Sequence, residues 1–359
     1  MNSERDSQRL ILPHKDNDRM FRELSRANVG LSALLYGHHT QTAGVLWMRD
    51  MFNCVLSILS DKESRFGYVR WHILRLQNIG NGPPHSPSPL RPLTPQSIQI
   101  PDLTPRELWS RLQIPNLDET DLQYVASRVE EMLHQDRGRA QQVVTTRLFL
   151  NWINSTGSAK LLLHGDFRTA EDLSPSSSLC AILTYTFRES GRFVSLVFFC
   201  GCHLIWNEHH GDTIMIRSLI AQLLRQFPSQ HLWPDSQTFI EGMDLGNVES
   251  LCSLFTYLVG QMASRLPIIC LIDGIGFYET EEYFDDMTTV ILSLIDIVHD
   301  ASNDRRPPFK LLLTSPLPTT EVRKIFDPDP HALLHMESMP LLETSMGVVG
   351  FQEQLATDI

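Results

Sequence analysis

Beyond Gly157 the chain alternates between two hydrophobic periods, and that alternation constrains its fold more than any other feature. Leu161-Leu162-Leu163-His164, Phe193 to Cys200 (FVSLVFFC), Ile268 to Asp273 and Phe309 to Thr314 are short apolar runs rich in aliphatic, β-branched or aromatic residues. Between them lie longer stretches with apolar groups at helical spacing. These are Ser176 to Phe187, the stripe Met215, Leu219, Ile220, Leu223, Leu224 and Phe227 behind Asp212, the run from Val248 to Met262, and Glu282 to Val298. Short strands that are apolar throughout, joined by helices, predict an α/β fold: a doubly wound, mainly parallel sheet covered on both faces. A short helix from Thr320 to Ile325 and an extended run from Ala332 to His335 close the pattern.

The rest of the chain divides around this core. Residues 1–80 read as a helical N-terminal region, with Phe21, Leu24, Leu31, Leu34 and Leu35 on one face. A second face is formed by Leu46, Met48, Met51, Phe52, Val55, Leu56 and Leu59. Residues 81–106 are a Pro-rich linker that cannot continue a helix. Residues 107–156 are a helical lead-in, with Asp118 or Thr120 capping a helix to about Leu133 and another helix running from Arg139 to Ile153. The α/β domain occupies 157–340, and 341–359 form a C-terminal tail.

Composition removes several functions. A net charge of −12 argues against broad nucleic-acid binding, which needs a basic face. No apolar run reaches the ~20 residues that span a bilayer, and the N-terminus lacks a signal-peptide pattern. The six cysteines are scattered and make no disulfide framework; reduced thiols fit a cytoplasmic protein.

The segment that carries most chemistry is Ile268-Ile269-Cys270-Leu271-Ile272-Asp273-Gly274, which resembles a Walker B strand. Such a strand aims its terminal carboxylate into the crevice beyond the sheet, where it holds Mg²⁺ directly or through water. The alternative is a buried strand followed by an Asp-Gly turn. The next strand ends in Thr314 and Ser315, where signalling ATPases of the P-loop class place a polar sensor of the γ-phosphate; a Ser-Pro turn at Ser315-Pro316 is the plainer reading.

A phosphate loop belongs between the first strand and the following helix. That segment holds Gly165, then Asp166, Arg168, Glu171 and Asp172, but no Gly-Lys-Ser or Gly-Lys-Thr and no second glycine. Three carboxylates against one guanidinium oppose a triphosphate. Ser176 and Ser177 offer hydroxyls at a helix start, a position that serine also favours as an N-cap.

Residues 143–340 resemble a group of fungal proteins related to the STAND or NACHT class of signalling NTPases. The resemblance is carried by Phe149 to Ile153 ahead of Leu161–Gly165, by Ser174 to Ser177, Phe198 to His203, Met215 to Leu224, Leu254-Phe255, Ile272 to Ile275 and Leu311 to Pro316, taken in order. It implies a P-loop NTPase-type domain in which nucleotide exchange or hydrolysis drives assembly. Here the Walker A lysine is missing, and Gly276 stands where the class carries a second acidic residue after Asp273. The expectation is a pseudo-NTPase with no cofactor that binds other proteins. The alternatives are a divergent Mg²⁺-dependent ATPase or GTPase and a helical scaffold on a structural platform. Were Mg-ATP or Mg-GTP to bind, Gly165, Arg168, Ser176, Ser177 and Asp273 are the residues expected to hold it, with Asp273 on the metal.

Two clusters fit plainer roles. Cys200, Cys202, His203, His209 and His210 lie within eleven residues but lack the spacing of a zinc site, and they read as a strand end with a polar loop. Glu279, Glu281, Glu282, Asp285 and Asp286 read as a solvated helix start favoured by the helix dipole.

Overall fold

The computed structural model describes residues 43–62, 105–131, 134–165, 173–204, 212–226, 246–262, 266–300, 306–336 and 339. Expectations placed on 1–42 and 63–104, and on Arg168, His209 and His210, lie outside the described residues.

Among the described residues five parallel strands form one sheet: β1 (Ala159–His164), β2 (Val194–Phe199), β3 (Ile268–Asp273), β4 (Phe309–Ser315) and β5 (Leu333–His335). Their spatial order is β2-β3-β4-β1-β5. The α/β reading from strand–helix alternation holds, and the sheet has the parallel, doubly wound character of P-loop-like domains.

The strands are apolar throughout because both faces are covered. Leu196, Phe198, Cys270, Ile272, Leu311 and Leu313 face α7 (Asp212–Gln226), α8 (Val248–Gln261) and α9 (Phe284–His299). Their neighbours Val197, Phe199, Ile269, Leu271 and Leu312 face the opposite way. There they meet α1 (Ala43–Lys62), α4 (His134–Val143), α5 (Arg147–Asn154) and α6 (Pro175–Ser190). The period-2 alternation therefore separates two cores, and α1 joins the second through Met48, Met51 and Val55.

The order has a consequence for ligands. After β1 the chain crosses by way of α6 to β2 at one edge, then returns through β3 and β4 to β1. The carboxyl ends of β1, β3 and β4 consequently lie near the point where the winding direction changes, the usual position of a site in such sheets.

The free edge of β2 is closed by α7. Gln222 accepts from Val197 N–H (2.9 Å) and donates to Val197 O (2.7 Å). One turn on, Gln226 accepts from Ser195 N–H (3.0 Å) and donates to Ser195 O (2.7 Å). The two carboxamides, four residues apart, pair with alternate residues of the edge strand as another strand would.

Two sequence expectations need correction. The helix α3 (Leu117–Arg128) is not capped by Asp118 or Thr120; Asn116 holds the cap position. Asp118 instead turns into the interior and accepts from half-buried Arg188 (2.7 Å) and buried Arg225 (2.5 Å), and two guanidiniums outcompete a few backbone N–H groups for a buried carboxylate. Nor is 139–153 one helix. The hydroxyls of Thr145 and Thr146 donate to Gln142 O and Val143 O, both at 2.7 Å, where α4 ends. Thr146 then caps α5 by accepting from Phe149 N–H at 3.2 Å.

The stop expected at Asn154 to Gly157 is present, with an addition that the sequence did not announce. Lys310, buried in β4, donates its ammonium to Trp152 O (2.8 Å) and Ser155 O (2.9 Å) at the end of α5. A cation beneath the carbonyl end of a helix is favoured by the dipole and satisfies groups the helix leaves open.

Candidate functional site

Asp273 ends β3 and is buried. Its position in the strand turns its side chain to the face shared with Ile269 and Leu271, which is the α6 face. Ser177, third residue of α6, donates its hydroxyl to Asp273 Oδ2 at 2.6 Å. Thr314, in β4, donates to Asp273 Oδ1 at 2.6 Å. Each carboxylate oxygen thus has a hydroxyl donor.

Both hydroxyls are held in turn. Ser177 Oγ accepts from Ser174 N–H (2.9 Å), ahead of the first turn of α6, so donating to Asp273 is the role left to its proton. Thr314 Oγ1 accepts from Gly274 N–H (3.1 Å), which fixes its proton toward Asp273 in the same way. Gly274 carries φ +73°, and a Cβ there would press on the Phe277 ring at 2.8 Å, so this turn requires glycine. Burial pushes the Asp273 carboxyl up to about 6, against the two hydroxyl donors that pull it down.

The other sequence-derived site residues are placed as follows. Ser315, adjacent to Thr314, turns away and donates to Leu317 O at 2.6 Å; of the two sensor candidates it is Thr314 that meets Asp273. Gly165 continues the β1–β4 ladder by donating its N–H to Ser315 O at 3.0 Å. Ser176 is buried and turned to Met336 Sδ at 4.0 Å. A Cβ at Gly276 would overlap Ser315 Oγ and come within 3.3 Å of the Thr319 and Leu317 side chains, so a side chain here requires Ser315 to move.

The cysteine–histidine cluster is drawn into packing. Cys200 is buried, and burial pushes its thiol well up. His203 stacks on Phe198 and bonds Asp121 of α3 at 2.7 Å. Burial raises the Asp121 carboxyl, with His203 opposing. Among the described residues no group of three His, Cys, Asp or Glu side chains is placed to hold a metal. All six cysteines are free thiols. No helix among the described residues is long and apolar enough to cross a membrane.

Sequence reading singled out Asp273, Thr314 and Ser177 but missed Asp118, Arg188, Arg225 and Lys310. Those four are charged residues inside amphipathic or apolar runs, and no local spacing distinguishes them from solvated ones.

The five-stranded parallel sheet with its flanking helices makes this a P-loop-like α/β domain. Residues 138–315 match the family model described as Nephrocystin 3, N-terminal. The match runs from α4 to the last residue of β4 and includes Ser177, Asp273 and Thr314. No curated protein and no solved structure matches the chain.

Proposed function

We propose that this chain is a pseudo-NTPase related to the fungal STAND/NACHT-like signalling proteins, working as a regulatory or protein-interaction module rather than as a hydrolase. The observation that carries the reading is the local chemistry around Asp273. In P-loop NTPases the Mg²⁺ lies between a P-loop Ser or Thr and the Walker B Asp, and a lysine immediately before that hydroxyl neutralises the phosphates. The 2.6 Å bond from Ser177 to Asp273 supports reading Ser177 as the counterpart of that hydroxyl and Ser176, the residue before it, as the counterpart of the lysine. A buried serine against a methionine supplies no charge to a triphosphate.

The opposite side of the site supports the same reading. Activating a water would call for a second carboxylate beyond Asp273; Gly276 supplies none, and a side chain there would have to displace Ser315 Oγ from its bond to Leu317 O. These residues do not fit a hydrolytic Mg-nucleotide centre. Their bonds fit a structural role, in which Asp273 ties the start of α6 to the ends of β3 and β4.

A second reading draws on the same Ser177–Asp273 contact, which an active P-loop enzyme would also have; there, Arg168 would replace the lysine. Phosphate release by the full chain with ATP or GTP and Mg²⁺ separates the two. The pseudo-NTPase reading expects background rates for wild type, Asp273→Asn and Arg168→Ala alike. Mg²⁺-dependent release lost in both variants would establish the enzyme instead.

A further inference from the structure

Between α9 and α10 (Glu321–Phe326) lies a groove of about 250 Å³, lined by Phe284, Met287, Ile291 and Leu292 on one wall and by Val322 and Ile325 on the other. Its walls are fixed. Glu279, in the turn after β3, accepts Thr320 N–H and Val322 N–H at 2.8 Å with its two carboxylate oxygens, holding the start of α10 in place. Leu292 is 45% exposed, an unusual state for a large aliphatic on a helix whose other large apolar groups are buried or half-buried.

The exposed charged residues along the α9 wall are acidic. Asp285, two turns before Leu292, and Asp296, one turn after it, share its stripe on α9 and are exposed. Glu281, Glu282 and Asp286 are exposed at the head of the same helix. The lysine on the lining, Lys324, is paired with Glu321 at 2.5 Å.

We propose that this groove docks an amphipathic helix of a partner protein, its apolar stripe entering between α9 and α10 and its flanks carrying Lys or Arg. The proposal rests on the reading of the domain as an interaction module and names the partner's chemistry. Two apolar rows at helical spacing suit the i, i+4, i+7 anchors of a helix, and the acidic rim selects basic flanks. A second copy of this chain is disfavoured, because a two-fold contact would set the acidic rim against itself in a protein of net charge −12. The chain's own residues 341–359 are disfavoured as well, having three carboxylates and no Lys or Arg.

The test uses the full chain and two fluorescent helical peptides with the same Leu stripe, one flanked by Lys and one by Glu. Anisotropy should show saturable binding of the Lys-flanked peptide only. Leu292→Ser should weaken it by about tenfold, and Asp285→Asn with Asp286→Asn should weaken it and flatten its salt dependence. Both changes are on exposed positions, so folding is retained. Equal binding of both peptides, no binding at all, or binding indifferent to Leu292→Ser would overturn the proposal. A dimer that Leu292→Ser dissociates would also overturn it, by making a second copy the occupant. Each of these failures leaves the phosphate-release result standing, so the two readings fail separately.

Discussion

Ser177 Oγ donates to Asp273 Oδ2 across 2.6 Å, joining residues 96 positions apart at the carboxyl end of the sheet. With Thr314 on the other oxygen, the carboxylate is anchored from two elements at once. The consequences can be measured.

Because burial lifts Asp273 to about 6, the folded chain holds this proton more tightly than the unfolded chain does. Between roughly pH 4 and 6 the stability contributed by the group falls as pH rises, and above that window the ionised carboxylate remains as a constant penalty. Asp273→Asn abolishes the titration. In urea unfolding, the variant should gain roughly 2 kcal/mol relative to wild type between pH 4 and pH 7. A difference that stays constant with pH would show that Asp273 is not buried as described.

Asp118 behaves in the opposite sense. Burial acts to raise its carboxyl, but the guanidiniums of Arg188 and Arg225 hold it below the ordinary range. Its contribution is present above the unfolded carboxylate value and is lost as pH falls through the folded one. Asp118→Ala takes the shared carboxylate from buried Arg225 and part-buried Arg188 and should cost roughly 3–5 kcal/mol at neutral pH. A loss under 1 kcal/mol in urea unfolding would mean that α3 is not fastened to the core by this pair.

Gly276→Glu restores a second acidic group in sequence but should not restore chemistry. Overlap with Ser315 Oγ predicts a loss of roughly 1–3 kcal/mol from overpacking, partly relieved by Ser315→Ala, with no phosphate release gained. Turnover appearing in Gly276→Glu would show that the loop adapts and that one residue separates this domain from an enzyme.

Gln222→Leu with Gln226→Leu keeps apolar bulk on α7 and removes the pairing to Ser195 and Val197. Each backbone group left unsatisfied costs roughly 1–3 kcal/mol, and the opened strand edge invites pairing with another chain. The expected result is a lower melting temperature together with larger species in sedimentation. An unchanged monomer–oligomer distribution and melting temperature would show that the edge needs no cover.

The parts of the fold legible in the sequence are those that repeat. The runs at 161–164, 268–273 and 309–314 announce strands because every position faces one core or the other, and the helical stripes between them announce the crossovers. Asp273 was legible because it interrupts such a run at its end, and Thr314 because it follows in the next strand. Ser177 was picked out among three consecutive serines, but its role as the donor to Asp273 depends on a contact made across 96 residues. Asp118 looked like a cap because its neighbours in sequence open a helix; its partners Arg188 and Arg225 lie on other helices. Lys310 was hidden in the same way, since its ammonium answers carbonyls at the end of α5, over 150 residues earlier.

We propose that the Asp273 cluster has been given over to holding α6 and the sheet together instead of binding a metal–nucleotide. Isothermal titration of the full chain with Mg-ATP and Mg-GTP, on wild type and Asp273→Asn, tests it most directly. The expected result is no saturable heat in the micromolar range for either nucleotide with either protein. Micromolar binding to wild type that disappears in Asp273→Asn, with the variant still folded, would contradict it.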